Sequence, residues 1–320
     1  MALDSRGFAA PDTPAPADAV REAGTPNESP LEQEERKARF STPGWLTVIW
    51  QNRKSRVGLG ILAVFVILAV FAPWIAPYDP HDTQFFPSEQ PSAAHWLGTT
   101  QAGEDILSQL IWGARTSLLV GLFAGFFSTV IGLVIGMIAG YAGGWLDDIL
   151  SFFINLALVV PTLPLMITLS AYSQITGIAF IIFVISITGW GWGARVKRSQ
   201  IITLRERDYI TASLFAGDSM VRIVFREIMP NMMSLIVAGF IGAAGAAIGA
   251  EAGLAFLGLG DPMTVSWGTM LNWANNSGAM LTGQWAWLVA PGLALALLIT
   301  SLTLINFGVD AISNPHLREE

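Results

Sequence analysis

Apolar residues gather in six long runs, at roughly 57–77, 115–140, 146–172, 176–195, 231–256 and 284–309. Each run is close to or above the ~20 residues a helix needs to cross a hydrocarbon core of about 30 Å. Only a helix or a closed barrel satisfies its own backbone in lipid. The runs therefore predict six membrane helices. Pro161 and Pro164 interrupt the third run and predict a kink there.

The polar stretches between the runs are equally informative. Residues 1–42 are rich in Pro, Ala, Asp and Glu and poor in large apolar side chains. Such a stretch predicts a disordered tail; it carries no apolar core of a signal peptide. Residues 43–56 place Trp45 and Trp50 beside Arg53, Lys54 and Arg56, which fits an interfacial segment. A six-helix domain over 57–318 follows. Residues 78–112 form a polar, Pro-containing loop whose own stretch lacks Lys and Arg.

Composition agrees with the pattern: 52% of the 320 residues are hydrophobic and 13% are charged, and mean hydropathy is +0.53. The absence of cysteine excludes disulfides, thiolate metal sites and a cysteine nucleophile. The 17 Lys and Arg residues are unevenly placed. With six spans, the N-terminus, residues 196–230 and the C-terminus share one side, which holds every Lys and Arg except Arg115. The positive-inside rule makes that side cytoplasmic. The 78–112 and 257–283 loops then lie outside.

Two glycine stripes run at four-residue spacing: Gly132, Gly136 and Gly140, then Gly245, Gly249 and Gly253. Small residues let helix backbones approach in lipid. Packing within the chain and a contact with a second membrane subunit both fit. Glu251 is an ionisable group inside a span, which points to function. It lies about 28–30 Å along its helix, near the outer surface, and on the face opposite Gly249 and Gly253. A role at a gate or pathway and a role accepting N–H bonds from the next loop both fit.

Glu251 precedes GLGD, residues 258–261. That tetrapeptide raises the question of an intramembrane aspartyl protease. Such an enzyme needs a second aspartate at matching depth, and the only Tyr-Asp here is Tyr78-Asp79, in a loop. Asp261 lies past the fifth span, so Gly258, Gly260 and Pro262 read as a turn.

The 196–230 loop carries the strongest signal. Thr203 and Glu206 have capping-box spacing and predict a helix start. Tyr209, Ala212, Ser213 and Ala216 fall on one slim face. Gly217 suits a helix stop, and Asp218 or Ser219 can cap a second helix, which Pro230 ends or kinks. This pair suits either a groove in another protein or a lipid surface.

The segment DYITASLFAGDSMVRIVFREIMPN, residues 208–231, resembles the EAA loop of ABC importer permeases, in the dipeptide/oligopeptide/nickel group. "HWLGTTQAGEDILSQLIWGARTSLLVG" (95–121), "EAGLAFLGLGDPMTVSWGTML" (251–271), "APYDP" (76–80) and "GGWLDD" (143–148) extend the likeness in order along the chain. Departures are Thr211-Ala212-Ser213 for the EAA triplet, Thr100 and Glu104 in the outer loop, and Asn314-Pro315 in the tail.

The resemblance implies an all-α membrane protein: a type I ABC importer-like permease with six transmembrane helices and cytoplasmic termini, in a bacterial or archaeal plasma membrane. It implies a transport subunit, with no catalytic residue and no cofactor of its own. ATP and Mg would bind one or two partner ABC ATPase subunits. Further implied partners are a second homologous permease, an extracytoplasmic solute-binding protein and membrane lipid. The expected ATPase-coupling residues are Asp208, Tyr209, Ala212, Ser213, Gly217, Arg222, Arg226 and Pro230. Glu251 is a gate or pathway candidate. Glu104, Asp105 and Asp261 are candidates for binding-protein contact. The solute is expected to be a di- or oligopeptide, with oligosaccharides or nickel as alternatives. A stand-alone channel or carrier and an exporter are rival readings. No P-loop is present, His81, His95 and His316 lack metal-ligand spacing, and nothing supports nucleic-acid binding.

Overall fold

The computed structural model describes residues 52–313, apart from 174 and 176. The tail at 1–42, most of the interfacial segment and the Asn314-Pro315 departure lie outside the described residues.

Among the described residues the secondary structure is helical, with one isolated bridge between Thr99 and Asp105. Helix α1, Arg53–Val70, opens on Asn52, whose side chain accepts from the backbone N–H groups of Lys54 (2.9 Å) and Ser55 (3.3 Å). A short helix α2, Ala72–Ile75, follows. Helix α3, Ile106–Ala142, has 37 residues and is about 55 Å long. It starts nine residues before the expected span, because Asp105 caps it. Helices α4, Gly144–Val159, and α5, Thr162–Tyr172, occupy the third apolar run. They are bent by 84°, so the expected kink is a break. Pro161 is the reason: its ring excludes the helical conformation at Val160, which has ψ 125.

Helices α6, Ile178–Thr188, and α7, Gly191–Arg205, are bent by 43° at the Gly189-Trp190 junction. Residues 196–205, expected in a loop, are therefore the last two thirds of a packed helix. The expected helix start at Thr203 does not occur: Thr203 lies inside α7, and its hydroxyl donates to the Ser199 carbonyl at 3.2 Å. The real start is α8, Asp208–Phe215. After it come α9, Met220–Ile223, a π-helical turn at Val224–Ile228 and α10, Met229–Asn231. Pro230, which cannot donate a hydrogen bond, follows the π turn within α10; that helix stops at Asn231, and Met232 separates it from the next helix. Helix α11, Met233–Phe256, α12, Trp267–Asn276, and α13, Trp285–Ser313, complete the chain.

Three helices, α3, α11 and α13, are long and apolar enough to cross a membrane, and five spans result if each bent pair counts as one. The first apolar run is α1, which begins with Arg53, Lys54 and Arg56. Many large apolar side chains face outward, among them Val64, Phe127, Phe152 and Leu293. That surface suits contact with hydrocarbon.

Helix α3 is the central packing element. A Cβ on Gly132 would come within 2.9 Å of the Trp190 carbonyl, one on Gly136 within 2.7 Å of the Ala194 carbonyl and one on Gly140 within 2.8 Å of the Arg198 carbonyl. The first glycine stripe is thus an intrachain contact with α7. Higher on α3, Gly121 and Gly125 admit Ile248 and Ala244 of α11. The second stripe differs: Gly245 and Gly249 reach only the ends of Leu302 and Ile299, at 3.8 and 3.9 Å, and Gly253 faces open space.

Candidate functional site

The segment after α7 is a small helix–turn–helix unit. Its buried side is Ile210, Ile223, Val224, Ile228 and Met232, packed with Ile201 of α7 and against Met137 and Tyr141 of α3. Its outer side is unusually apolar. Phe215 is 89% exposed, and Leu214, Val221 and Phe225 are also exposed.

The turn is built by Gly217, which has φ +84. Its N–H donates to the Leu214 carbonyl at 3.0 Å, and the Asp218 N–H donates to the Ser213 carbonyl at 3.1 Å. This is the two-bond Schellman arrangement, which needs a left-handed residue. Ser219 caps α9 by accepting from Arg222 N at 3.4 Å. Asp208 stands in the first turn of α8, where a carboxylate complements the helix dipole. Tyr209, Ala212 and Ser213 line α8; the first two are exposed, and the Ser213 hydroxyl donates to the Tyr209 carbonyl at 3.1 Å. Arg222 pairs within the chain, with Asp218 at 3.0 Å. Arg226 is exposed and has no ion pair among the described residues.

A second group of contacts ties α7 to the start of α4. Arg198 grips Asp147 through two nitrogens, at 2.6 and 2.7 Å. Arg205 donates to the Tyr141 carbonyl at 2.9 Å, and Arg195 to Asn155 at 3.1 Å. The DD turn of the sequence thus supplies the carboxylate that fixes α7.

The two loops expected outside form one platform. Gln284 donates to the Thr99 carbonyl at 2.8 Å, and the Trp267 indole donates to the Leu110 carbonyl at 2.9 Å. Asp105 is 1% exposed. It accepts from the Ser108 N–H and hydroxyl, both at 2.7 Å, and pairs with His95 at 2.9 Å. So enclosed, Asp105 serves as the cap of α3 and leaves no exposed carboxylate in this structure. Glu104 is half-buried and accepts from Gln109 at 2.9 Å and from Thr100 at 3.2 Å. Asp261 closes a local turn, accepting from Met263 N and from the Thr264 hydroxyl, both at 3.0 Å.

Glu251 is 2% exposed. Its polar neighbours are the Ser266 and Ser117 hydroxyls, yet Oε2 and Ser117 Oγ make no hydrogen bond. It lines a cavity of about 10 Å³ with Thr116, Asp261 and Ser266, room for one water. The groups beside its carboxylate are thus side-chain hydroxyls, one from α3 and one from the following loop. Below this level lie two adjoining clefts of about 380 Å³ each, which share Ser128, Gly189, Ala243 and Ala246. Apart from Leu235, their α11 wall is made of Gly and Ala. Lys197 lines the lower cleft; the sequence reading placed it in a loop and so missed it.

Residues 132–319 match the family described as "Binding-protein-dependent transport system inner membrane component". Residues 47–92 match the "N-terminal TM domain of oligopeptide transport permease C". The chain belongs to the binding-protein-dependent transport permeases. It is similar to the dipeptide transport system permease protein DppC of Escherichia coli (strain K12), at 39% identity over 282 residues, covering 84% of this chain and 91% of that one. It is also similar to the di/tripeptide transport system permease protein DppC of Pseudomonas aeruginosa (strain UCBPP-PA14), at 35% over 291 residues, covering 86% and 94%. A third relative is the dipeptide transport system permease protein DppC of Bacillus subtilis (strain 168), at 33% over 272 residues, covering 84% and 83%. This permease is therefore a multi-pass inner-membrane subunit that carries no catalytic centre; ATP is handled by a partner ATPase. A binding protein and an ATPase are implied partners of such a system. The protease, channel and carrier readings fall away.

Proposed function

We propose that this permease is the membrane subunit of an ATP-driven importer of di- and oligopeptides, and that residues 208–231 are its docking point for the ATPase. The observation that carries the coupling role is the helix–Gly217–helix unit, with a rigid buried side and an exposed apolar crest at Phe215. A crest of that kind fits a groove in a soluble protein better than it fits water. Peptides are the solutes named for the similar proteins.

In this reading six helices span the membrane, α1 being the first, with both termini and the 208–231 unit in the cytoplasm. Nucleotide-driven closure of the ATPases pushes the unit. The push passes through Ile201 and Met232 into α7 and α11. The Asp147–Arg198 clamp makes α4 follow. A second, homologous permease completes the pathway, and the joined 78–105 and 257–284 loops receive the binding protein. Glu251 marks the outer end of the pathway.

The test is a pull-down of the membrane-extracted chain from its host, with partners identified by mass spectrometry. Recovery of an ABC ATPase, a second permease and a solute-binding protein that retains peptide is the expected result. Recovery of the chain without any ATPase would overturn the coupling assignment.

A further inference from the structure

The lower cleft holds three polar groups that the fold does not use. Lys197 is 2% exposed, and it forms no ion pair among the described residues. The other cations of α7 are anchored, Arg195 on Asn155, Arg198 on Asp147 and Arg205 on Tyr141. Thr129 Oγ1 and Asn306 Oδ1 line the same cleft, are buried, and make no hydrogen bond. Buried polar atoms are nearly always paired, so two idle oxygens beside an unpaired amine mark this space as suited to a polar guest.

The lysine does not snorkel. A membrane lysine near a cytoplasmic helix end ordinarily extends its amine toward the headgroups. Lys197 reaches the other way. A Cβ on Gly193, one turn back along α7, would lie 3.2 Å from Nζ, and one on Gly239 of α11 would lie 3.5 Å from it. The amine thus occupies the gap between α7 and α11, where both helices carry glycine. The small residues Gly239, Gly242 and Ala246 keep the α11 wall open beside it. Each cleft, at about 380 Å³, is within the range of small-molecule sites.

We infer that Lys197 holds the terminal carboxylate of a peptide in transit, with Asn306 Oδ1 and Thr129 Oγ1 accepting and donating to its amide. The inference rests on the peptide-import reading and names the group that recognises the solute inside the membrane. An amine provides charge complementarity to carboxylate, and Asn Oδ1 is a fixed acceptor for a peptide N–H.

The test uses the assembled importer, with its own partner subunits and binding protein, in proteoliposomes. Uptake of dialanine and of dialanine amide is compared at concentrations that saturate the binding protein. The expected result for Lys197→Met is a fall of about tenfold in maximal dialanine uptake, with amide uptake little changed. Lys197→Arg should retain the preference for the free acid. As a reading that needs no binding protein, the importer is ¹³C-methylated on its lysines. The Lys197 resonance, assigned by its loss in Lys197→Met, should shift with dialanine and stay still with the amide. A wild-type acid-to-amide ratio in Lys197→Met overturns the inference, as does equal loss of both solutes. Loss of the second permease from purified Lys197→Met overturns it too, because Lys197 would then pair with that subunit. Failure of the wild-type importer to take up dialanine at all is a different result; it overturns the peptide-import reading itself.

Discussion

Replacing Gly217 isolates the turn of the coupling unit from everything else. An ideal Cβ at Gly217 meets nothing within 4 Å, so a larger residue causes no clash. The cost is purely conformational. At φ +84 an L-residue sits in the left-handed region at roughly 1–2 kcal/mol, and a β-branched one sits there at greater cost. If the residue leaves that region, the bonds from Gly217 N and Asp218 N are lost, each worth about 1 kcal/mol. Gly217→Val should therefore cost about 2–3 kcal/mol of correctly turned α8–α9. That is more than tenfold in the population able to dock. Gly217→Asn should cost less than Gly217→Ala, since Asn tolerates this conformation. Transport-coupled ATPase activity in proteoliposomes should rank Gly > Asn > Ala > Val, while the permease itself stays folded in detergent. Normal coupled activity in Gly217→Val, or Asn behaving as badly as Val, would refute the reasoning.

Other predictions concern packing, loops and topology. Gly136→Ala places a methyl 2.7 Å from the Ala194 carbonyl. It should destabilise the purified chain by the ~1–3 kcal/mol of an overpacked contact and so lower its melting point; an unchanged melt would remove the α3–α7 contact from the account. Asp105→Ala removes a helix cap worth about 1–2 kcal/mol and strands His95, so thermal stability should fall. Binding-protein affinity of the surviving complex should stay put, as surface plasmon resonance can show. The cysteine-free chain suits single-cysteine labelling. On intact cells a membrane-impermeant maleimide should modify Ala93→Cys and spare Ala216→Cys; the reverse pattern would invert the topology.

The sequence made the helices plain because hydrocarbon imposes one rule on every residue facing it. Gly217 and Ser219 were legible for a similar reason: turn chemistry is local. What escaped depended on partners distant in the chain. Asp105 looked like a surface acid until Ser108 and His95 closed over it. Pro161 signalled a kink, yet no local rule gives the angle of 84°. Lys197 was counted with the cytoplasmic cations because charge tallies do not say which way a side chain reaches. Thr203 and Glu206 match a capping box, but Thr203 lies in the last turn of α7 and Glu206 is that helix's C-cap. The exposure of Phe215 could be seen only once Ile210 had taken the buried side of α8.

Helix α3 contains no proline and runs unbroken over its 37 residues. Its second turn receives the Trp267 indole of the loop platform. Its last turns receive Arg205 and pack on the coupling unit. If such a helix pivots near its middle by about 10°, each end moves by roughly 5 Å, in opposite directions. Under the proposed topology and coupling role, substrate delivery on one face and nucleotide closure on the other are then strokes of a single see-saw, with no relay of small shifts between the two doors.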